Sequence, residues 1–162
     1  MEIERKYTVK CLPDNLENYP SHLIEQGYLN TNPVVRVRRE DDNYYMTYKG
    51  SGMIAREEYN LLLTADAYSH LIKKCDGNII TKVRHLIPLN NPVFKDNFVP
   101  KKELNLTIEL DVYKGVFEKL VIAEIEFPDI ETAEALIPPD WFLEDVSLKK
   151  EYHNSYLSAL KL

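Results

Sequence analysis

Cysteine is scarce. Cys11 and Cys75 are the only two in 162 residues, and they form no CxxC motif. That excludes a disulfide scaffold, and two reduced thiols in a cytoplasmic protein are the expectation. No apolar run is long enough to cross a bilayer as a helix, so no membrane partner is expected. No signal-peptide pattern is read ahead of the first strand, which is expected to start at residue 2. His22, His70, His85 and His153 show no metal-ligand spacing. Positive charge is not in excess either. The net charge of −6 argues against a broad nucleic-acid surface. It still permits a locally basic site, because net charge averages over faces. Repeats, low-complexity tracts and linkers are absent, so residues 1–162 read as one domain large enough for a real core.

What the chain does have is strand. Runs at about 2–10, 34–40, 43–50, 54–63, 79–88, 104–113 and 120–127 carry β-branched or aromatic residues in alternation. Turn chemistry at "EDDN" and "KGSG" makes 34–63 a three-stranded meander. Helices are expected at 15–26, ending near Gly27, and at 65–75, capped by Thr64 and closed by Asp76-Gly77. A short helix is expected at 129–137, stopped by Pro138-Pro139. The last helix is expected at 147–162, capped by Ser147. The proline-rich 88–103 reads as a long loop. Many strands without a βαβ rhythm point to an antiparallel α+β domain or barrel.

Strand residues two apart share a face. On that rule Glu2, Glu4 and Lys6 lie on one side of the first strand, with Ile3, Arg5 and Tyr7 on the other. The pattern recurs. Arg36 and Arg38 share a face, as do Arg56 and Glu58, Lys82 and Arg84, Glu109 and Asp111, and Glu124 and Glu126. Lys49 follows Thr47 in the same phase. The residues between them are mostly apolar: Val35, Val37, Tyr48, Ile108, Leu110, Ile125 and Phe127. A sheet closed on itself, charged face inward and apolar face covered by helices, satisfies this pattern. The alternative is an open sheet whose charged face meets solvent through cross-strand ion pairs. Buried charges must pair, bind ions or line a wet cavity. Seven bases (Lys6, Arg36, Arg38, Lys49, Arg56, Lys82, Arg84) suit a polyanion. Clustered carboxylates suit a hard divalent cation such as Mg²⁺ or Mn²⁺.

In order along the chain, "EIERKY", "IEQGYL", "VVRVRRE", "MTYKG", "AREEYN", "TKVRH", "ELDVYKG", "LVIAEIEF" and "DVSLKKEYHNSYL" resemble the CYTH domain of the triphosphate tunnel metalloenzyme superfamily, in its short bacterial form. "EIERK" is similar to its ExExK signature. The resemblance implies a closed eight-stranded antiparallel β-barrel with helices packed outside and a C-terminal plug helix. Its lumen would bind a triphosphate and one or two Mg²⁺ or Mn²⁺ ions. It implies Glu2, Glu4, Glu124 and Glu126 as metal-binding carboxylates, with Glu58 and Asp111 assisting through the metal shell or by orienting water. It implies Lys6, Arg36, Arg38, Lys49, Arg56, Lys82 and Arg84 as the phosphate clamp. Lys149 and Lys150 on the last helix come within its scope, although a solvated helix face explains them as well. Two positions depart from the pattern. Asn60 stands where the family often has an acid, which bears on a second metal site or on how water is held. Ile108 stands where many members have Trp.

The implied activity is metal-dependent hydrolysis of a triphosphate, with inorganic tripolyphosphate the first choice. Thiamine or nucleoside triphosphate hydrolysis, a class IV-type adenylate cyclase, and a non-catalytic polyphosphate or nucleotide-binding module are the alternatives. The resemblance also allows a homodimer.

Overall fold

A computed structural model describes residues 1–162. The strands are β1 (Glu2–Val9), β2 (Ser21–Thr31), β3 (Val34–Glu40), β4 (Asn43–Lys49), β5 (Ala55–Arg56), β6 (Glu58–Leu62), β7 (Asp76–Pro88), β8 (Val93–Phe94), β9 (Thr107–Tyr113), β10 (Val121–Glu126), β11 (Leu136–Ile137) and β12 (Phe142–Asp145). The α-helices are α1 (Ala65–Ile72), α2 (Ile130–Ala135) and α3 (Asn154–Ala159).

Every pairing is antiparallel. The main sheet runs β1-β10-β9-β7-β2-β3-β4-β6. β6 and β5 are one strand interrupted at Glu57, and β5 returns to β1 through Glu2↔Arg56 and Ile3↔Ala55. That contact makes a nearly closed barrel, with β5 and β6 together acting as the eighth stave. Farther along the same edge, β1 pairs with β12 at Tyr7↔Asp145 and Val9↔Phe142. The edge of β1 is therefore covered for most of its length, which removes a site for aggregation.

Two apolar clusters hold the barrel. The larger lies outside the wall. Ile3, Tyr7, Ile108, Leu110, Ala123 and Ile125 point outward from β1, β9 and β10, and Ala133, Leu136 and Phe142 cover them. The smaller cluster fills one end of the lumen. Tyr28, Val34, Ile80, Tyr113 and Ile122 point inward there and meet Leu157 of α3. The lumen thus has an apolar floor and charged walls. Gly77 lets α3 seat at this end. Its φ is +73°, and a Cβ there would lie 2.0 Å from the Ser158 carbonyl oxygen. Asn78 Nδ2 also donates to the carbonyls of Leu157 and Leu160.

Local signals explain the other elements. Thr64 Oγ1 accepts from the Ala67 amide at 3.1 Å and caps α1, an interaction worth about 1 kcal/mol. Asp129 Oδ1 accepts from Thr132 N at 2.7 Å and caps α2. Asp41 and Asp42 make the two-residue turn between Glu40 and Asn43, with Asp41 at φ 51°.

Several expectations need correction. Residues 15–26 are not a helix. Only Leu16–Asn18 form a 3-10 turn, and from Ser21 the chain is β2, paired with β3 on one side and β7 on the other. Two full ladders outweigh a weak local helical preference. Helix α1 stops at Ile72, and Asp76-Gly77 open β7 rather than closing the helix. The continuous C-terminal helix is a 3-10 turn at Lys150–Tyr152 followed by α3. His153 breaks it with extended backbone (φ −86°, ψ 137°). Ser147 caps no helix; its hydroxyl accepts from the Lys6 amide at 2.9 Å. Segment 88–103 is loop apart from Pro88, which ends β7, and β8, which pairs with β11.

Candidate active site

The lumen holds a cavity of 220 Å³, and only two of its 18 lining residues are hydrophobic. That lining suits a small, highly charged ligand rather than an apolar one. All thirteen site residues expected from the sequence line it, except Lys82 and Asp111.

The charges form a lattice. On the β1 side, Lys6 Nζ lies 2.6 Å from Glu124 Oε1 and 2.9 Å from Glu4 Oε1. Lys49 Nζ lies 2.8 Å from Glu2 Oε2 and 2.9 Å from Glu58 Oε2. Arg56 stands off at 3.6 Å from both Glu2 and Glu4. Glu126 is the cross-strand partner of Glu4 and makes no ion pair at the open end. Each lysine is thus interposed between two carboxylates.

Arg36 and Arg38 differ from the other bases. Neither has a carboxylate partner. Arg36 Nη2 donates to Thr47 Oγ1 at 3.1 Å, and its buried Nε has no partner. Arg38 Nε donates to Gln26 Oε1 at 3.0 Å. Burial, together with the charges of Arg36 and Arg84, brings Arg38 down to about 10. Two adjacent guanidinium groups with no internal counter-ion make a ready anion site.

Lys82 and Asp111 lie inside the barrel but beneath the cavity, next to its apolar floor, both with fully buried side chains, and they pair with each other. Asp111 also grips Arg84 in bidentate fashion, from Nε at 2.7 Å and Nη2 at 2.8 Å. Arg84 reaches onward to Glu124 Oε2 at 2.8 Å and to Glu109. Burial opposes the charge of Asp111, but Arg84 and Lys82 hold its carboxyl below the usual range. Burial lowers Lys82 to about 8 despite Asp111. Lys82 and Asp111, expected to clamp phosphate and to orient water, are thus engaged with each other and with Arg84 and do not line the cavity. A buried Lys next to an Arg requires such an anion.

The metal expectation can be tested on the donor atoms. No three carboxylate, histidine or cysteine side chains converge in ligand geometry, because the lysines are interposed. The donor chemistry nevertheless fits a hard cation. Glu4 Oε1 and Glu58 Oε2 are buried, and each faces a lysine ammonium at 2.9 Å, a cation in the position a metal ion would take. Burial and the neighbouring Glu4 charge raise Glu2 to about 7. Burial, Glu58 and Glu4 raise Glu126 as well. Carboxylates that repel one another to this degree are stabilised by a divalent ion.

These shifts set two pH windows. Glu4 is opposed by burial but brought down to about 2 by Lys6. Its ion pairs therefore stabilise the fold above the ordinary carboxylate pKa and are lost as pH falls toward 2. Glu2 works in reverse. Its folded value lies above the ordinary 4.5, so its contribution is full below 4.5 and is lost as pH rises through 7. The two slopes cancel near the ordinary value, so on these two groups the metal-free protein should have its highest thermal midpoint near pH 4.5 and lose stability toward pH 7. Differential scanning fluorimetry across pH 3–9 measures this, and a midpoint that climbs steadily through pH 7 would contradict the Glu2 assignment.

Sequence reasoning missed several lining residues. Tyr28 faces the cavity from β2, in the stretch expected to be helix; the alternation Ile24, Gln26, Tyr28 was the available signal. His153, Asn154 and Ser155 close one side from the start of α3. His153 Nε2 meets the Ser147 carbonyl oxygen at 3.0 Å, which ties α3 to the strand that carries Lys6. The sequence marked their segment as a plug helix but singled out none of the three. Lys149 turns to Glu144, and Lys150 lines a neighbouring cavity rather than the lumen.

Comparisons with known proteins point the same way. The CYTH domain family profile matches residues 1–159. The chain is similar to an inorganic triphosphatase of Nitrosomonas europaea, at 33% identity over 161 residues, covering 97% of this chain and 96% of the relative. It is also similar to an inorganic triphosphatase of Acetivibrio thermocellus, at 32% identity over 165 residues, covering 96% and 92%. The crystal structure of an inorganic triphosphatase superposes with a TM-score of 0.68 at 30% identity, covering 98% of this chain and 94% of that one.

Proposed function

Since the chain belongs to the CYTH domain family, we propose that it is an inorganic triphosphatase that cleaves tripolyphosphate to pyrophosphate and orthophosphate. CYTH triphosphatases are metal-dependent in general, and in this reading the metal is Mg²⁺ or Mn²⁺. The observation that carries the reading is the pair Arg36 and Arg38, charged, inward-facing and without carboxylate partners. A polyanion supplies the missing negative charge. The names of two relatives at more than 30% identity support the choice of an inorganic substrate.

The residues divide by role. Arg36, Arg38 and Arg56 receive phosphate oxygens, and Lys6, Lys49 and Arg84 join them as substrate draws them from their carboxylates. Guanidinium and ammonium groups offset the charge that develops on the leaving phosphate. Glu2, Glu4, Glu124 and Glu126 hold the metal, which when bound supplies Lewis-acid polarisation of phosphate oxygens. Glu58 orients the attacking water, and Asp111 positions Arg84 from beneath. A cytoplasmic location belongs to the same reading, supported by two free cysteines.

The test is orthophosphate and pyrophosphate release from tripolyphosphate, ATP and thiamine triphosphate with either metal. Metal-dependent cleavage of tripolyphosphate is the expected result. Pyrophosphate from ATP alone would replace the proposal with a cyclase, and binding without turnover would replace it with a binding module. Arg38→Ala should raise KM about tenfold or more and lower kcat less, because an unpaired cation contributes to binding in both ground and transition states.

A further inference from the structure

Asn60 lies two residues beyond Glu58 on β6, so both side chains leave the same face of the strand; Glu58 lines the cavity, and Asn60 is exposed beside it. Both ends of its amide are engaged. Thr47 Oγ1 donates to Asn60 Oδ1 at 2.6 Å, and Asn60 Nδ2 donates to Glu58 Oε1 at 2.7 Å. Thr47 Oγ1 itself accepts from Arg36 Nη2 at 3.1 Å. The orientation of the amide follows from its neighbours. An ionised carboxylate can only accept, so the amide nitrogen must face Glu58. The chain therefore runs one way, from the Arg36 guanidinium through Thr47 and Asn60 to the Glu58 carboxylate. Thr47, the middle link, is completely buried and pairs directly with Asn60 across β4 and β6.

The effect on Glu58 is specific. Its Oε1 is fixed by the amide. Its Oε2 is buried in the cavity lining and is ion-paired with Lys49 Nζ at 2.9 Å, the same ammonium that Glu2 holds at 2.8 Å. We propose that Asn60 is a positioning residue for the hydrolysis, holding one oxygen of Glu58 so that the other is presented to the metal shell and the attacking water. This rests on the triphosphatase reading above. The same chain couples that carboxylate to Arg36, one of the two cations that await phosphate. An aspartate at position 60 could not donate to Glu58 and would add a repelling charge beside it. An alanine would leave both Thr47 and Glu58 without their partner.

Outer-layer partners of this kind are worth about 10–100-fold in metal affinity or activity. The experiment compares wild type with Asn60→Ala, Asn60→Asp, Thr47→Val and the Asn60→Ala/Thr47→Val double variant. Steady-state kinetics on tripolyphosphate is paired with calorimetric titration of Mn²⁺ alone and with thermal midpoints. Asn60→Ala should lower kcat by about 10-fold or more with KM within about 2-fold, and should weaken Mn²⁺ binding by a comparable factor. Its midpoint should stay close to wild type. The double variant should be no worse than the poorer single, because both break one chain. Wild-type kcat and Mn²⁺ affinity in Asn60→Ala would overturn the proposal, as would Asn60→Asp that equals or exceeds wild type. Loss of activity that tracks a fallen midpoint, with Mn²⁺ affinity intact, would also overturn it. A wild type inactive on tripolyphosphate would instead overturn the triphosphatase reading, and the Mn²⁺ titration would still decide the role of Asn60.

Discussion

Glu4→Gln is expected to lower kcat on tripolyphosphate at least about 1000-fold while the protein stays folded, since loss of a metal's Lewis-acid role removes several kcal/mol of transition-state stabilisation. The substitution keeps shape and removes one charge. Glu4 has few alternatives to the role assigned to it. Its Oε1 is buried in the cavity lining, ion-paired with Lys6 at 2.9 Å and 3.6 Å from Arg56. Both cations keep other partners when its charge is lost. Lys6 retains Glu124 at 2.6 Å, and Arg56 retains Glu2. Folding should therefore survive, with a thermal midpoint within a few degrees of wild type. Kinetics, a melting curve and a Mn²⁺ titration of the same preparation check this. Near-normal turnover would remove Glu4 from the metal set, and loss of fold would show that its charge is structural.

Asp111→Asn should produce the largest loss of stability. Asp111 is completely buried and is the shared counter-ion of Lys82 and Arg84. Removing one partner of a buried pair costs about 3–5 kcal/mol, which lowers the midpoint by roughly 10 °C in a chain of this size. The pH dependence identifies the cause. Burial already brings Lys82 to about 8 with Asp111 in place. Without Asp111 the folded protein holds that proton less firmly than the unfolded chain does. The unfolded chain binds more protons, so the variant should regain stability as pH rises from about 7 to 10. Adding Lys82→Met should remove both that pH dependence and part of the loss. Chemical denaturation at pH 7 and pH 10 measures each quantity. A stable but inactive Asp111→Asn protein would return Asp111 to a direct catalytic role.

These two carboxylates show how far alternation could be read. Period two placed Glu4 and Asp111 on inward faces, and both are inward, Glu4 in the cavity lining and Asp111 against the lining residue Arg84. It could not say how deep along the barrel axis each would lie. Depth depends on register between strands. Lys82 pairs with Tyr113 and Arg84 with Asp111, near the apolar floor, whereas Glu4 pairs with Glu126 toward the open end. The misread β2 has a similar origin. Its local composition allowed a helix, and its strand character comes from the ladders on both sides. The chemistry of Tyr28 was hidden with it.

The one-dimensional chain by itself determined the alternation of charge, the inward set of acids and bases, the capping of α1 by Thr64 and the family. Each is a local property or an ordered string, with no dependence on what lies across the lumen. The tertiary structure alone decided which charges face one another. It placed Lys6 between Glu4 and Glu124, left Arg36 and Arg38 without counter-ions, and ran the hydrogen-bond chain from Arg36 to Glu58 through Asn60. The reason is physical. An ion pair spans about 3–4 Å, and contacts that short between distant segments exist only once register, closure and strand order have set the distances.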